Sequence, residues 1–419
     1  MLECYDPQIN ELIKQEEARQ AASIRLIPSE NYVSQNVMQA TGSCLTNKYA
    51  EGYPNKRYYE GQQVTDLIET IAQERAKAVF GADHVNVQPY SGSIANMAAY
   101  MALVKPGDTI MGLALPDGGH LTHGWKVSAT GQLFNAVQYN VDYSTGLFDY
   151  DKIADLAKET KPKLIVAGAT AYPRTINFRA FRDIADSVGA YLVCDIAHIA
   201  GLVAGGVHES PVPFADIVTT TTHKSLRGPR GAMVMCREEH AKAVDKAVFP
   251  GLQGGPHMHT ITGIAVAMKE ANTNCFKRYA AQVVANAKAL AEALTAYDFD
   301  LVTGGTDNHL ILIDMRSKGI AGKKMAKALD RAGIVTNCNT VPNDPAPPFN
   351  PSGVRIGTPS ITTRGMKPED MQQLAGFFSS VAENIEDAEA IEKVGKEVRL
   401  FCSRFPLPKY FTLQEHGKY

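Results

Sequence analysis

Lys224 stands in a stretch suited to amine chemistry, Val218-Thr-Thr-Thr-Thr-His-Lys-Ser-Leu-Arg-Gly-Pro-Arg-Gly231. The β-branched run Val218 to Thr222 is stiff at χ1 and predicts a strand. Gly228, Pro229 and Gly231 then force a sharp turn. A lysine held at a strand end beside His223 and other cations gives up its proton more readily. It becomes a nucleophile toward carbonyls, and a Schiff base with pyridoxal 5'-phosphate needs such an amine. The competing reading is a solubilising lysine after an edge strand.

Other residues supply the remaining needs of that cofactor. Ala190-Tyr-Leu-Val-Cys-Asp-Ile-Ala-His-Ile-Ala-Gly201 reads as an apolar strand ending in a lone carboxylate. A buried carboxylate is costly unless paired, and Asp195 facing a pyridinium would be paired. His198, three residues on, is placed to contact the ring or its phenolate oxygen. A helix N-cap is the simpler role for Asp195. In the stretch 86–104, Val87 continues a strand pattern, and Ile94, Met97, Ala98 and Met101 follow helical spacing. Ser91-Gly92-Ser93 therefore falls at a helix N-terminus, where free N–H groups attract phosphate.

The elements that must position these groups follow from the wider pattern. At 419 residues, with 45% hydrophobic and 21% charged content, the chain has the make-up of an ordinary globular protein of two or three domains. A net charge of −2 offers no broad basic face, so no nucleic-acid partner is expected. Seven cysteines without a C-x-x-C pair predict reduced thiols in the cytoplasm. The N-terminus lacks a signal-peptide pattern, and no apolar run reaches membrane-spanning length. Short apolar strands alternate with helices from about 60 to 250, as in βαβ units with a mainly parallel sheet. Strands are expected at 163–168, 191–196, 216–220 and 231–236, with a helix over 178–188. One long helical region is expected over 260–295. Strands near 310–315 and 354–357, with helices near 323–332 and 368–385, predict a smaller C-terminal domain. The expected division is an N-terminal helical arm over 1–45, a large cofactor-binding domain over 46–275 and a small domain over 276–419.

Seven motifs in order carry a resemblance. They are Leu26-Ile-Pro-Ser-Glu-Asn-Tyr32, Thr46-Asn-Lys-Tyr-Ala-Glu-Gly-Tyr-Pro54, Lys56-Arg-Tyr-Tyr59, Gly118-Gly-His-Leu-Thr-His-Gly124, Thr219-Thr-Thr-Thr-His-Lys224, Gly304-Gly-Thr-Asp-Asn-His-Leu310 and Val341-Pro-Asn-Asp-Pro345. Together, over about residues 8 to 405, the chain closely resembles serine hydroxymethyltransferase. The resemblance implies an α/β, fold-type-I pyridoxal-phosphate-dependent transferase of the aspartate-aminotransferase type, with a mainly parallel seven-stranded sheet in the large domain and a smaller α+β C-terminal domain. It implies a homodimer or dimer of dimers with shared active sites. The implied reaction moves the hydroxymethyl group of L-serine reversibly to tetrahydrofolate, giving glycine and 5,10-methylenetetrahydrofolate.

The same resemblance implies the residue roles. Lys224 would hold the cofactor covalently, Asp195 would pair with its pyridinium, and His120 would stack on its ring. His198 and Thr170 would lie near the phenolate oxygen, and Thr221 and His223 would pack around the lysine. Ser91, Gly92 and Ser93 would bind the phosphate, helped by Gly254 and Gly255 from the other subunit. Arg355 would clamp the amino-acid carboxylate bidentately, with Ser29 orienting it. Glu51 would handle protons at the hydroxymethyl group and folate, while Tyr49 and Tyr59 reach in from the other subunit. Leu115, Gly119, Leu121 and Asn339 would contact folate.

Taken alone, Glu51 equally suits a surface loop and Arg355 a surface cation. His120 and His123 could suggest a metal pair, but no third ligand has suitable spacing, so no metal is expected. The chain departs from the family at Pro28, at Leu115-Pro-Asp, at Trp125-Lys126 and at Thr170. The rival readings are a pyridoxal-phosphate enzyme that cleaves β-hydroxy amino acids, or takes α-methylserine, without strict folate use, and a non-catalytic scaffold or RNA-binding member of the fold.

Overall fold

The computed structural model describes residues 2–408. Its centre is a seven-stranded sheet of β1 (His84–Asn86), β2 (Thr109–Leu113), β3 (Asn135–Tyr139), β4 (Leu164–Gly168), β5 (Tyr191–Asp195), β6 (Ile217–Thr221) and β7 (Ala232–Cys236). The spatial order is β1-β7-β6-β5-β4-β2-β3. The run from β3 to β6 is parallel, while β7 is antiparallel to both β6 and β1.

The inner strands are covered on both faces, so β4 (Leu-Ile-Val-Ala-Gly) and β7 (Ala-Met-Val-Met-Cys) are apolar throughout, while the edge strand β3 carries Asn135 and Gln138. Leu192, Cys194 and Val218 join one core, and Val193 and Ile217 join the core on the opposite face. Each such aliphatic side chain contributes about 1.5–3 kcal/mol on burial. The helix Gly92–Leu103 packs on the second face through Ala95, Met97, Ala99 and Tyr100. Met101, expected on its buried face, is 39% exposed instead.

A second core gathers residues from both chain ends. A four-stranded sheet contains Leu310–Asp314, Gly353–Gly357 and Asn337–Asn339. Ile24 and Leu26 are fully buried with them, and Ile24–Arg25 pairs in parallel with Ile334–Val335. The helical region expected over 260–295 is two helices, Met258–Ala271 and Asn274–Ala296. The break has a local cause: the Thr273 side chain caps the second helix by accepting from Phe276 N. A further helix, Ala388–Ser403, was not expected from the sequence; Asp387 caps it. Among the described residues no helix is long and apolar enough to cross a membrane.

Asp195, Thr221 and Gly168 are the last residues of β5, β6 and β4. Ligands of open α/β sheets bind in the crevice at these carboxyl ends. Lys224, His198 and Thr170 lie on the loops that leave the same edge.

Candidate active site

Asp195 is held on three sides. Its Oδ2 accepts from Asn96 Nδ2 at 2.8 Å and lies 3.0 Å from His123 Nε2, while its Oδ1 accepts from Ala197 N at 2.9 Å. Burial alone would raise its carboxyl, but the hydrogen bond and charge of His123, with His120 and Asn96, outweigh that and hold it well below the usual carboxylate range. Asn96 is itself fixed by Thr219 Oγ1, which donates to Asn96 Oδ1 at 2.5 Å, and by Thr122 Oγ1 at 2.7 Å. Thr122 Oγ1 in turn lies 2.7 Å from His120 Nδ1. One network thus orients both the carboxylate and the imidazole expected on the ring face. Asn96 and His123 were not assigned these roles from the sequence. His123 sat in the Gly-Gly-His-Leu-Thr-His-Gly motif, and Asn96 lies one turn into the helix after Ser-Gly-Ser. In the suspected His120–His123 pair, His120 Nδ1 is engaged by Thr122, His123 Nε2 by Asp195, and His123 Nδ1 accepts from His120 N. No group of three metal-ligating side chains occurs among the described residues.

Lys224 has its amine pressed down to about 8 by burial, with Arg355 and Arg230 adding to the effect and Asp195 opposing it. A nucleophilic fraction is therefore present near neutral pH. Arg355 donates from Nη1 to Thr170 O at 2.6 Å and from Nε to Asn337 Oδ1 at 3.2 Å. No carboxylate pairs with it among the described residues, and burial lowers it to about 10, so it stays a cation at neutral pH. A largely buried guanidinium without an anion is a receptor for one. The hydroxyl of Thr170 donates toward Gly118 O and Gly119 O, tying its loop to the glycines before His120. Burial and the Lys224 and Arg355 charges keep His198 neutral, well below its ordinary value.

Ser91 caps the helix Gly92–Leu103 by accepting from Ile94 N. A Cβ on Gly92 would lie 2.8 Å from Thr221 Cγ2, so only glycine lets β6 and this helix N-terminus approach so closely. Ser91, Gly92 and Ser93 thereby sit beside the end of β6. His223 follows on the same loop and lines a cavity of about 640 Å³ with Ser29, Asn31 and Arg230. Pro28, next to Ser29, packs on Gly357 at the end of the Arg355 strand.

A second cluster gathers Tyr49, Glu51, Tyr59, Gly254 and Gly255. The ring of Tyr49 lies against Gly255 and meets Tyr59 edge-on at 5.3 Å. Glu51 Oε1 lies 3.3 Å from where a Gly254 Cβ would be. The organiser is Arg57, which donates to Ala50 O, Gly52 O, Asp66 Oδ1 and Glu69 Oε2 at 2.7–2.9 Å. Glu69 is fully buried, and Gln88 bridges it to Gly52 O. Among the described residues no hydrogen bond, ion pair or ring contact joins Tyr49, Glu51 or Tyr59 to Lys224, Asp195 or Arg355. Tyr49 and Tyr59 are 55% and 53% exposed, large aromatic surfaces facing outward.

Leu115, Gly119 and Leu121 lie on the turns after β2, and Leu121 is 49% exposed. A Cβ at Gly119 would lie 2.0 Å from Leu113 O. Asn339 lies on a strand of the other sheet, and its neighbour Thr340 donates to Pro116 O at 2.7 Å, tying that strand to the turn after β2.

Residues 2–378 match the family model described as serine hydroxymethyltransferase. The serine hydroxymethyltransferase of Desulfotalea psychrophila is 62% identical over 407 residues, covering 97% of this chain and 96% of that one. That of Sorangium cellulosum is 61% identical, covering 96% and 95%. That of Acidothermus cellulolyticus is 62% identical, covering 97% of each. A match of this extent shows that the chain belongs to the serine hydroxymethyltransferase family.

Proposed function

We propose that this chain transfers the hydroxymethyl group of L-serine to tetrahydrofolate, reversibly, giving glycine and 5,10-methylenetetrahydrofolate with pyridoxal 5'-phosphate as cofactor. The observation that carries the reading is Arg355, a largely buried cation with no carboxylate partner among the described residues, close enough to Lys224 for its charge, like that of Asp195, to act on the amine. The residues suit the cofactor: a helix N-terminus with a glycine at the point of closest approach, a carboxylate held ionised and a lysine with a lowered pKa. When bound, the protonated ring supplies an electron sink for negative charge at the substrate α-carbon.

In this reading Lys224 holds the cofactor and Asp195 keeps its ring nitrogen protonated. His120 covers the ring face, and His198 with Thr170 stands at the phenolate edge. Thr221 and His223 flank the lysine, and Ser91, Gly92 and Ser93 hold the phosphate. Arg355 and Ser29 orient the amino-acid carboxylate. Glu51 carries a proton at the hydroxymethyl oxygen, and Leu115, Gly119, Leu121 and Asn339 line the folate side.

The separation of the Tyr49–Glu51–Tyr59 cluster from Lys224 within one chain supports a homodimer. A second copy brings Tyr49, Glu51, Tyr59, Gly254 and Gly255 to the crevice holding Lys224. None of the seven cysteines is joined in a disulfide among the described residues, which suits a reducing cytoplasm.

Mixing inactive Lys224→Ala and Glu51→Gln chains tests this arrangement. Half of the randomly mixed dimers pair one chain of each kind, and each such dimer has one intact site, so activity returns to roughly a quarter of wild type. No recovery under conditions of proven subunit exchange would sink the shared site. Serine cleavage at equal rate with and without tetrahydrofolate would instead favour a folate-independent aldolase.

A further inference from the structure

The Gly304-Gly-Thr-Asp-Asn-His-Leu310 motif binds neither phosphate nor carboxylate in the reading above. It clamps the loop after β4. Asn308 Nδ2 donates to Tyr172 O, Thr306 Oγ1 donates to Pro173 O, and Arg174 Nη1 donates to Asp307 Oδ1. The clamp delivers His309, 1% exposed, to a stack with His198, with ring centroids 5.8 Å apart and planes 29° from parallel. Three ring nitrogens at this stack are buried without a partner: Nδ1 of His198 and both Nδ1 and Nε2 of His309. Buried polar atoms are paired in the great majority of cases, and each exception asks for a cause. A cavity of about 10 Å³ adjoins both rings, lined also by Tyr172, Asp195, Asn308 and Leu310. A buried water needs roughly 10–15 Å³ and two to four polar partners.

We propose that one ordered water molecule fills this cavity, bridging His198 Nδ1 and a ring nitrogen of His309, and that His309 is thereby a positioning residue for His198. Burial, then the charges of Arg355 and Lys224, press His309 down to about 3, and His198 is likewise neutral. A neutral imidazole has one donor and one acceptor nitrogen, and its neighbours select the tautomer. In the proposed arrangement the water donates to Nδ1 of His198, in the tautomer with the proton on Nε2. His198 is then a hydrogen-bond donor toward the phenolate edge of the cofactor. His309 accepts or donates to the same water and holds it in place. The effect on the cofactor rests on the site assignment proposed above; the water does not.

A crystal structure of the cofactor-loaded wild-type enzyme, resolving ordered waters, tests the first half. It is expected to show one water about 2.7–3.2 Å from His198 Nδ1 and from a His309 nitrogen; an empty cavity overturns the proposal. The visible absorption of the bound cofactor tests the second half in His309→Gln and His309→Phe. In His309→Phe the pH midpoint of the absorption change moves, and kcat falls by about 10-fold with KM for serine within twofold. In His309→Gln, which keeps a donor and an acceptor, the midpoint returns toward wild type. A wild-type midpoint in both variants overturns the positioning role. If His309→Phe does not fold, the crystal and His309→Gln still decide: a water retained with a near-wild-type midpoint in His309→Gln supports the proposal, and a displaced water with an unchanged midpoint refutes it. Failure of the wild-type protein to bind the cofactor at all would instead count against the site assignment.

Discussion

His123 Nε2 lies 3.0 Å from Asp195 Oδ2, and both are fixed before any ligand arrives. The imidazole offsets the cost of keeping a carboxylate ionised inside the protein. His123→Phe removes that support, so Asp195 rises toward its protonated form and, in the proposed role, would grip the cofactor's ring nitrogen less well. The expected result is a 10- to 100-fold faster loss of cofactor, in the range of supporting-shell effects, followed by visible absorbance on dilution. Unchanged retention would show that Asn96 and Ala197 suffice.

Asp195→Asn keeps the shape of the group and removes its charge. The turnover of serine is expected to fall at least about 100-fold, the scale of losing one preorganised electrostatic partner. Circular dichroism should remain that of wild type.

Lys224 provides a pH-dependent test in the cofactor-free protein. Its pKa in the fold, about 8, is below its unfolded value. Its contribution to stability is therefore full above the unfolded pKa and is lost as pH falls through 8. At pH 7 the buried charge is a burden, and Lys224→Met is expected to raise the apo-protein Tm by roughly 2–4 °C. The gain should vanish as pH approaches 10. A gain of equal size at both pH values would refute a titrating lysine.

Arg57 ties the Tyr49–Tyr59 segment to the buried Glu69. Removing it strands that carboxylate, so Arg57→Ala should cost about 3–5 kcal/mol in urea unfolding. The double variant Arg57→Ala/Glu69→Gln should recover part of this loss.

Gly92→Ala places a methyl 2.8 Å from Thr221 Cγ2. The helix N-terminus must shift, and with the phosphate held there as proposed the cofactor should bind about 10-fold more weakly, near 1.4 kcal/mol. Adding Thr221→Ser removes the clashing methyl and should restore most of the affinity, a coupling that independent sites would not show.

The placement of the candidate site residues was legible in local patterns because they sit at element ends. A β-branched run before Lys224, an apolar run before Asp195 and a helical period after Ser91 each name a strand or helix terminus, and termini of parallel strands meet at one edge. Those patterns need only near neighbours in sequence, as does the length of each element to within a few residues. The break at Thr273 and the last helix needed finer capping signals. The partners of Asp195 are another matter. Asn96, His123 and Thr219 are separated from it by 24 to 99 residues, and only the strand order and register place them together. The same holds for Arg355 against Thr170, for His309 against His198, and for Ile24 and Leu26 in a core built mainly from the C-terminal half. Sequence periodicity reports which face of an element is buried. What that face meets is decided by how the sheet orders its strands and how the two cores close on each other, since burial is non-directional while hydrogen bonds require specific partners.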